Sequence, residues 1–370
     1  MEYGAQISRP TLVVDRGRVH ENIRRMRGKA AKSGTAFRPH FKTHQSAVVG
    51  EWFREQQVES ITVSSVRMAR YFADHGFSDI TIAFPLNLRE LGAVGELAGR
   101  VRLNLLVLTT EAARALSDEV TAPVGVWIKV DVGYGRTGIP WEDAGGVIEL
   151  ASLIEKLPRV ELEGILTHAG QSYHVAERAR RADLFRNTAA GLGKLRDAMR
   201  EAGIVHCRIS VGDTPSTTAV EEFDGVDEVR PGNFVYFDAQ QWHLGSCEES
   251  QIAAAVACPV VAVHADRGEI LLYGGAVHLS AQAEEHPEMS GLKMHGYVVE
   301  SRSDGWGPIR PGSFVDRVSQ EHGVARVEKD MLSRIRPGDL VCVIPVHSCL
   351  VVDALDHGIT TDGERFDLPL

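Results

Sequence analysis

The chain has 370 residues, too many for one small core and few for three domains, which predicts two domains or a barrel with an appendage. Hydrophobic residues make up 44% and charged residues 24%, the composition of a globular chain and not of a disordered one. Fifty acidic against forty basic residues give a net charge of −10; with no long basic run, this argues against nucleic acid and anionic membranes as partners.

The opening segment MEYGAQISRP has no basic stretch followed by an apolar one, so no signal peptide is read there. No stretch approaches the roughly 20 apolar residues of a membrane helix. A cytoplasmic protein is expected. Apolar runs at residues 11–14, 37–40, 60–64, 79–83, 102–108, 124–130, 162–166, 207–211 and 228–236 predict strands, most of them buried on both faces. Amphipathic segments between them, such as 46–56, 65–75, 141–156 and 175–201, predict helices. Strands alternating with helices imply a parallel sheet, and the eight strands from residue 37 onward match a (β/α)8 TIM-type barrel. After about residue 245 the texture changes to short strands at 253–265, 269–277, 293–299, 326–328 and 340–345, separated by Gly and Pro turns. That predicts an antiparallel β domain. The expected division is a barrel over residues 12–245 and a β domain over 246–370, joined by residues 1–11. The five cysteines, Cys207, Cys247, Cys258, Cys342 and Cys349, are odd in number, widely spaced and without a CxxC, so reduced thiols are expected.

A barrel concentrates its chemistry at the C-terminal ends of its strands. After the first stands Arg38-Pro39-His40-Phe41-Lys42-Thr43-His44. A lysine there can lose solvent, drop its pKa and offer a free amine for Schiff-base chemistry, although a surface lysine is the plainer reading. His40 and His44 have the i,i+4 spacing that binds metal on a helix, a poor fit to a strand end after Pro39. After the fifth strand, Asp131–Gly138 sets three glycines around Arg136, a tight loop that either places a cation near a ligand or leaves it in solvent. After the sixth, His168 is a candidate general base, a ring to stack on a cofactor, or a buried structural histidine. After the seventh and eighth, Ser210–Thr217 and Arg230–Asn233 offer hydroxyls, small residues and backbone N–H groups of the kind that hold phosphate, with Thr214 as a helix N-cap. Near the C-terminus, Val346-His347-Ser348-Cys349-Leu350 reads as strand-like, which would turn an imidazole and a thiol to one side. That pair is half of a zinc site with positions open for water or substrate, or else a buried cysteine beside an unrelated histidine.

Taken together and in this order, these loops resemble the metal-activated D-threonine aldolase and D-serine dehydratase group of the fold type III, alanine racemase-like, pyridoxal phosphate enzymes. The resemblance covers nearly the whole chain. It implies that Lys42 is the Schiff-base and catalytic lysine, that His168 lies against the pyridine ring, and that Arg136 and Tyr173 stand near the ring. It assigns the phosphate to Thr214, Gly232 and Asn233, with Ser210 as a weaker candidate, and sets Arg230 opposite the ring nitrogen. His347 and Cys349 would bind a divalent metal; His plus Cys resembles the zinc-dependent dehydratases, whereas the aldolases tend to an oxygen ligand and manganese. Asp213 departs from the group's pattern, since a carboxylate beside a phosphate is repulsive unless it points away. The implied activity is dehydration of a β-hydroxy D-amino acid to a keto acid and ammonia, with retro-aldol cleavage and racemisation as the alternatives. The implied partners are a small amino-acid substrate and a second copy of the chain in a homodimer.

Overall fold

The computed structural model describes residues 3–369. Its contacts divide into two compact units, one of Arg24–Lys42 and Gly50–Gly232, the other of residues 3–23, Thr43–Val49 and residues 233–369.

The first unit is the parallel barrel. Its strands are Ala36–Phe37, Ser60–Val63, Asp79–Pro85, Arg102–Val107, Val124–Asp131, Val160–Thr167, Arg208–Val211 and Glu228–Val229, each hydrogen-bonded in parallel to its neighbours. Ala36–Phe37 pairs with the last strand, and an isolated parallel bridge between His40 and Thr62 joins the two ends of the sheet. The apolar runs behave as strands packed on both faces: seven of the eight residues of Val124–Asp131 are buried. Helices cover the outside. Val66–Asp74 buries Val66, Met68, Ala69 and Phe72 along one stripe, and the Ser65 hydroxyl caps it by accepting the Met68 N–H. Inside the barrel, Arg38 pairs with Glu228 at 2.8 Å and, by both terminal nitrogens, with Asp79 at 2.6 and 3.1 Å.

The strand expected over 228–236 is cut short. Only Glu228–Val229 is extended, because Pro231 has no N–H for a ladder and the chain turns into a 3-10 segment at Asn233–Val235. That turn belongs to the other unit, where the Tyr236 carbonyl accepts the Ala253 N–H at 2.7 Å. The contact boundary therefore falls at Gly232/Asn233, a dozen residues before the change of texture in the sequence.

The second unit holds a sheet in the order Glu269–Tyr273, His322–Arg326, Phe314–Val318, Gly296–Arg302, Leu340–Pro345, Ala254–His264, Thr11–Val14, His357–Thr360 and Arg365–Asp367. The long strand Ala254–His264 pairs with Leu340–Pro345 through its first half and with Glu269–Tyr273 through its second, so six strands close on themselves. All pairings in this sheet are antiparallel except one. Thr11–Val14 runs antiparallel to Ala254–His264 and parallel to His357–Thr360, a central position that the sequence division at residue 12 did not foresee. The strand read at 326–328 lies instead at His322–Arg326.

Candidate active site

Lys42 sits in the 3-10 turn Phe41–Thr43 that follows the first barrel strand. Phe41 anchors the turn: it is fully buried, with ring centroids 4.8 Å from Phe53, 5.0 Å from Phe72 and 5.2 Å from Phe77. The His40 N–H donates to the Pro231 carbonyl at 2.9 Å, and the Lys42 N–H donates to His40 Nδ1 at 3.3 Å. This fixes the backbone while the Lys42 side chain is exposed, not desolvated. His40 is thus an acceptor in the turn, and the buried His44 Nδ1 accepts the Ser46 N–H at 3.3 Å. Both roles are structural, which replaces the metal spacing read between them.

The loop after Val124–Asp131 is organised by its own aspartate. Asp131 accepts the N–H groups of Gly133, Tyr134 and Gly135 at 2.9–3.2 Å. Positive φ at Gly133 (97°) and Gly135 (75°) lets the backbone wrap around the carboxylate. The wrap lays the Arg136 guanidinium 5.3 Å from the Tyr134 ring centre, and that ring meets the His168 ring edge-on at 6.1 Å. Tyr173, in the turn Gly170–His174, lies 6.3 Å from the His168 ring. His168 Nδ1 is 2.6 Å from the Gly212 carbonyl. A carbonyl only accepts, so Nδ1 carries the proton. Burial, followed by the charges of Lys42 and Arg136, holds His168 well below the usual histidine range, and the ring is neutral.

Asp213 resolves its own anomaly. Its carboxylate, and not the Thr214 side chain, caps the helix Thr214–Ala219, accepting the Ser216 N–H and hydroxyl at 2.7 Å and the Ser172 hydroxyl at 2.8 Å. With these donors around it, the carboxylate is turned into the protein. Thr214 is left with a buried hydroxyl that has no partner, a donor suited to a phosphate oxygen. Gly212 leaves little room for a side chain, since a Cβ there would stand 3.0 Å from the Arg230 carbonyl oxygen. Gly232 is buried at the end of the same unit. Ser210 is otherwise engaged: its hydroxyl donates to Glu228 and accepts Arg230 Nε, both at 2.7 Å, which leaves no proton for phosphate. Arg230 also donates to the Thr167 carbonyl; burial lowers its pKa to about 10, against the pull of Glu228, so it stays charged at neutral pH.

One residue was missed by sequence reading. Lys129 is buried in the strand Val124–Asp131, donates to the Val130 carbonyl at 2.7 Å, and is lowered to about 7 by burial, with Arg230 and Arg136 adding to the effect. Its signal was a lone lysine inside an apolar strand.

In the second unit, His347 and Cys349 do not lie on a strand. His347 is extended at the N-cap of the helix Ser348–Ala354, and Cys349 is that helix's second residue. Asp238 holds this junction: it is fully buried and accepts the Ser348 N–H at 2.9 Å, the Ser348 hydroxyl at 3.2 Å and the Asn233 amide at 2.6 Å. The Asn233 amide also reaches Cys349 Sγ at 3.9 Å, and the Thr43 hydroxyl lies 3.2 Å from the same sulfur. Thr43 follows Lys42 directly in the chain. The Asn233 amide donates to this sulfur, and an N–H donor suits the thiolate, the form that binds metal. The free side-chain oxygen of Asn233 is an acceptor, so a phosphate contact from this residue would have to use its backbone N–H. Among the described residues no group of three or more His, Cys, Asp and Glu side chains is placed to hold a metal. Burial pushes the other four thiols, Cys207, Cys247, Cys258 and Cys342, up, Cys207 and Cys342 to about 11.

A parallel barrel bearing a lysine turn, followed by a closed β sheet, is the alanine racemase-like architecture. The alanine racemase N-terminal domain matches residues 14–240, and a serine dehydratase domain matches residues 253–361. The chain belongs to this alanine racemase-like family of pyridoxal phosphate enzymes, in the branch that carries the serine dehydratase domain. D-threo-3-hydroxyaspartate dehydratase of Delftia sp. (strain HT23) is 29% identical over 349 residues, 92% of this chain and 90% of that one. D-serine dehydratase of Dictyostelium discoideum is 24% identical, covering 97% and 95%, and D-threonine aldolase of Arthrobacter sp is 26% identical, covering 88% and 81%. The solved Delftia dehydratase superposes with a TM-score of 0.89 at 28% identity, covering 98% of this chain and 97% of that one. A cysteine-to-alanine variant of it, in the metal-free form, superposes with a TM-score of 0.90 at 27% identity, with the same coverage.

Proposed function

We propose that the protein is a pyridoxal phosphate- and zinc-dependent lyase that dehydrates a β-hydroxy D-amino acid to a keto acid and ammonia. The observation that carries this reading is the His347–Cys349 pair opening one helix, with Asn233 and Thr43 directed at the sulfur. Dehydratase relatives that align over nine-tenths of the chain or more support it. The barrel residues fit the cofactor: an exposed amine on a fixed turn, a neutral ring at His168, and an unpartnered buried hydroxyl at Thr214.

When bound, the cofactor supplies a sink for charge on Cα and the metal a Lewis acid for the departing hydroxide. Lys42 Nζ would hold the cofactor and, as the free amine once the substrate's amine has replaced it, would take the α-proton. Thr214 Oγ1 and the backbone N–H groups of Gly232 and Asn233 hold the phosphate, with Ser210 outside that set. His168 would pack against the cofactor as a neutral group and so would add no charge there. Arg136 and Tyr173 would border the cofactor, and Arg230, charged at neutral pH, would supply a cation to it. His347 and Cys349 hold the metal, and a thiolate ligand favours zinc over the harder manganese. The resemblance further implies a homodimer.

The D-threonine aldolase relative supports a second reading, cleavage to glycine and an aldehyde. The deciding assay supplies D-serine, D-threonine and 3-hydroxy-D-aspartate, with and without a chelator. Keto acid and ammonia, lost on chelation, are expected. Glycine plus aldehyde would make the protein an aldolase, and chelator-resistant racemisation would remove the metal from the reaction.

A further inference from the structure

Behind His347 runs a chain of side-chain hydrogen bonds that the proposed reaction does not use. His347 Nδ1 lies 3.3 Å from Gln240 Oε1. Gln240 Nε2 donates to Glu284 Oε1 at 2.6 Å. The other oxygen of Glu284 lies 3.3 Å from His243 Nδ1, and His243 Nε2 is 3.0 Å from the hydroxyl of the fully buried Tyr297. Gln240 and His243 share the short helix Ala239–His243, whose N-cap is Asp238. The Gln240 N–H also donates to the Val346 carbonyl at 3.2 Å, which ties the helix to the residue before His347.

Glu284 fixes the direction of the bonds from Gln240 and His243 and, through Gln240, that of the bond to His347. A carboxylate accepts only, so the nitrogen of the Gln240 amide must face it and the oxygen must face His347. The reversed amide would set an oxygen against a carboxylate. An amide oxygen also accepts only, so His347 Nδ1 must carry its proton, which leaves the lone pair on Nε2. At the far end, His243 Nδ1–H donates to Glu284 and its Nε2 lies 3.0 Å from the Tyr297 hydroxyl.

We propose that Gln240, held by Glu284 and His243, is a positioning residue that sets the tautomer and ring angle of His347 for metal binding through Nε2. The inference rests on the reading of His347 as a metal ligand. Outer partners of ligating histidines commonly govern metal affinity in this way, by about ten- to a hundredfold.

The test measures zinc affinity of the pyridoxal phosphate-loaded protein, by competition with a chromophoric chelator. Gln240→Leu is expected to weaken zinc about ten- to a hundredfold while the cofactor absorption spectrum and the urea midpoint stay at wild-type values. The exchange variant, Gln240→Glu with Glu284→Gln, is expected to recover wild-type affinity. In it the carboxylate introduced at position 240 accepts from His347 and from the amide introduced at position 284, whose oxygen accepts from His243. Wild-type zinc affinity in Gln240→Leu, with binding abolished in His347→Ala, would overturn this proposal and leave the metal site standing. Undiminished zinc binding in His347→Ala would overturn the metal site itself. If Gln240→Leu does not fold, the exchange variant decides alone, and weakened zinc binding in a folded exchange variant would overturn the proposal.

Discussion

His44 and Lys42 lie two residues apart in the chain and face opposite demands. Lys42 is exposed, and the proposed chemistry needs its amine to reach the cofactor. Borohydride reduction of the loaded protein, followed by peptide mapping, should place the label on Lys42; a label elsewhere would overturn the cofactor assignment. His44 is fully buried, and burial lowers its pKa to about 3 from an ordinary value of 6.5. The unfolded chain takes up a proton as pH falls through 6.5, whereas the folded protein resists until about 3. His44 therefore contributes stability that is intact above 6.5 and is lost on acidification at about 1.4 kcal/mol per pH unit. His168 acts in the same direction. The urea midpoint should fall between pH 7.5 and pH 5, and His44→Asn, which keeps an acceptor for Ser46, should remove about 2 kcal/mol of that fall. An identical fall in the variant would show that His44 does not titrate abnormally.

At the level of elements, the short helix Thr214–Ala219 is held by one carboxylate. Asp213→Ala would remove the cap and strand the buried Ser172 and Ser216 hydroxyls, at a cost of about 2–4 kcal/mol. Because the cap also seats Thr214, pyridoxal phosphate affinity should fall as well, read by titration of the cofactor absorbance. Asp213→Asn, which keeps the capping oxygen, should lose much less stability; equal losses would mean that the cap is not what holds the loop. Much of this architecture was legible in the sequence. Buried barrel strands announce themselves as runs such as VGVWIKVD, and the loops that follow them carried the candidate residues in order. The helix read from residue 65 starts there, capped by Ser65, whereas the cap read at Thr214 belongs to the neighbouring aspartate. Ser348–Ala354 was unreadable because SCLVVDA has the β-branched apolar look of a strand, and the Asp238 bonds that satisfy Ser348 at its start come from 110 residues away. The chain behind His347 was invisible, since Gln240 lies 107 residues from His347 and 44 from Glu284, and polar residues so separated carry no local pattern.

Across the whole molecule the chain passes between its two compact units at residues 23/24, 42/43, 49/50 and 232/233. Two of these passages follow directly on the candidate residues Lys42 and Gly232. Neither unit can therefore be excised with one cut, and the β unit shows why. Thr11–Val14 is fully buried and lies inside the sheet, with four residues paired to Ala254–Ala257 on one side and three to His357–Thr360 on the other. A fragment of residues 246–370, the C-terminal part that composition alone would select, lacks this strand. It would expose two facing ladders of unpaired N–H and C=O groups. Unpaired edges of that kind favour aggregation over a fold. The fragment is expected to show no cooperative thermal transition by circular dichroism and to precipitate on concentration. A fragment that also carries residues 1–23, joined through a flexible linker, restores both ladders and should melt cooperatively. A sharp transition in the shorter fragment would show that the β sheet is complete without its N-terminal strand, and that the continuous division at residue 245 is the one the folding chain obeys.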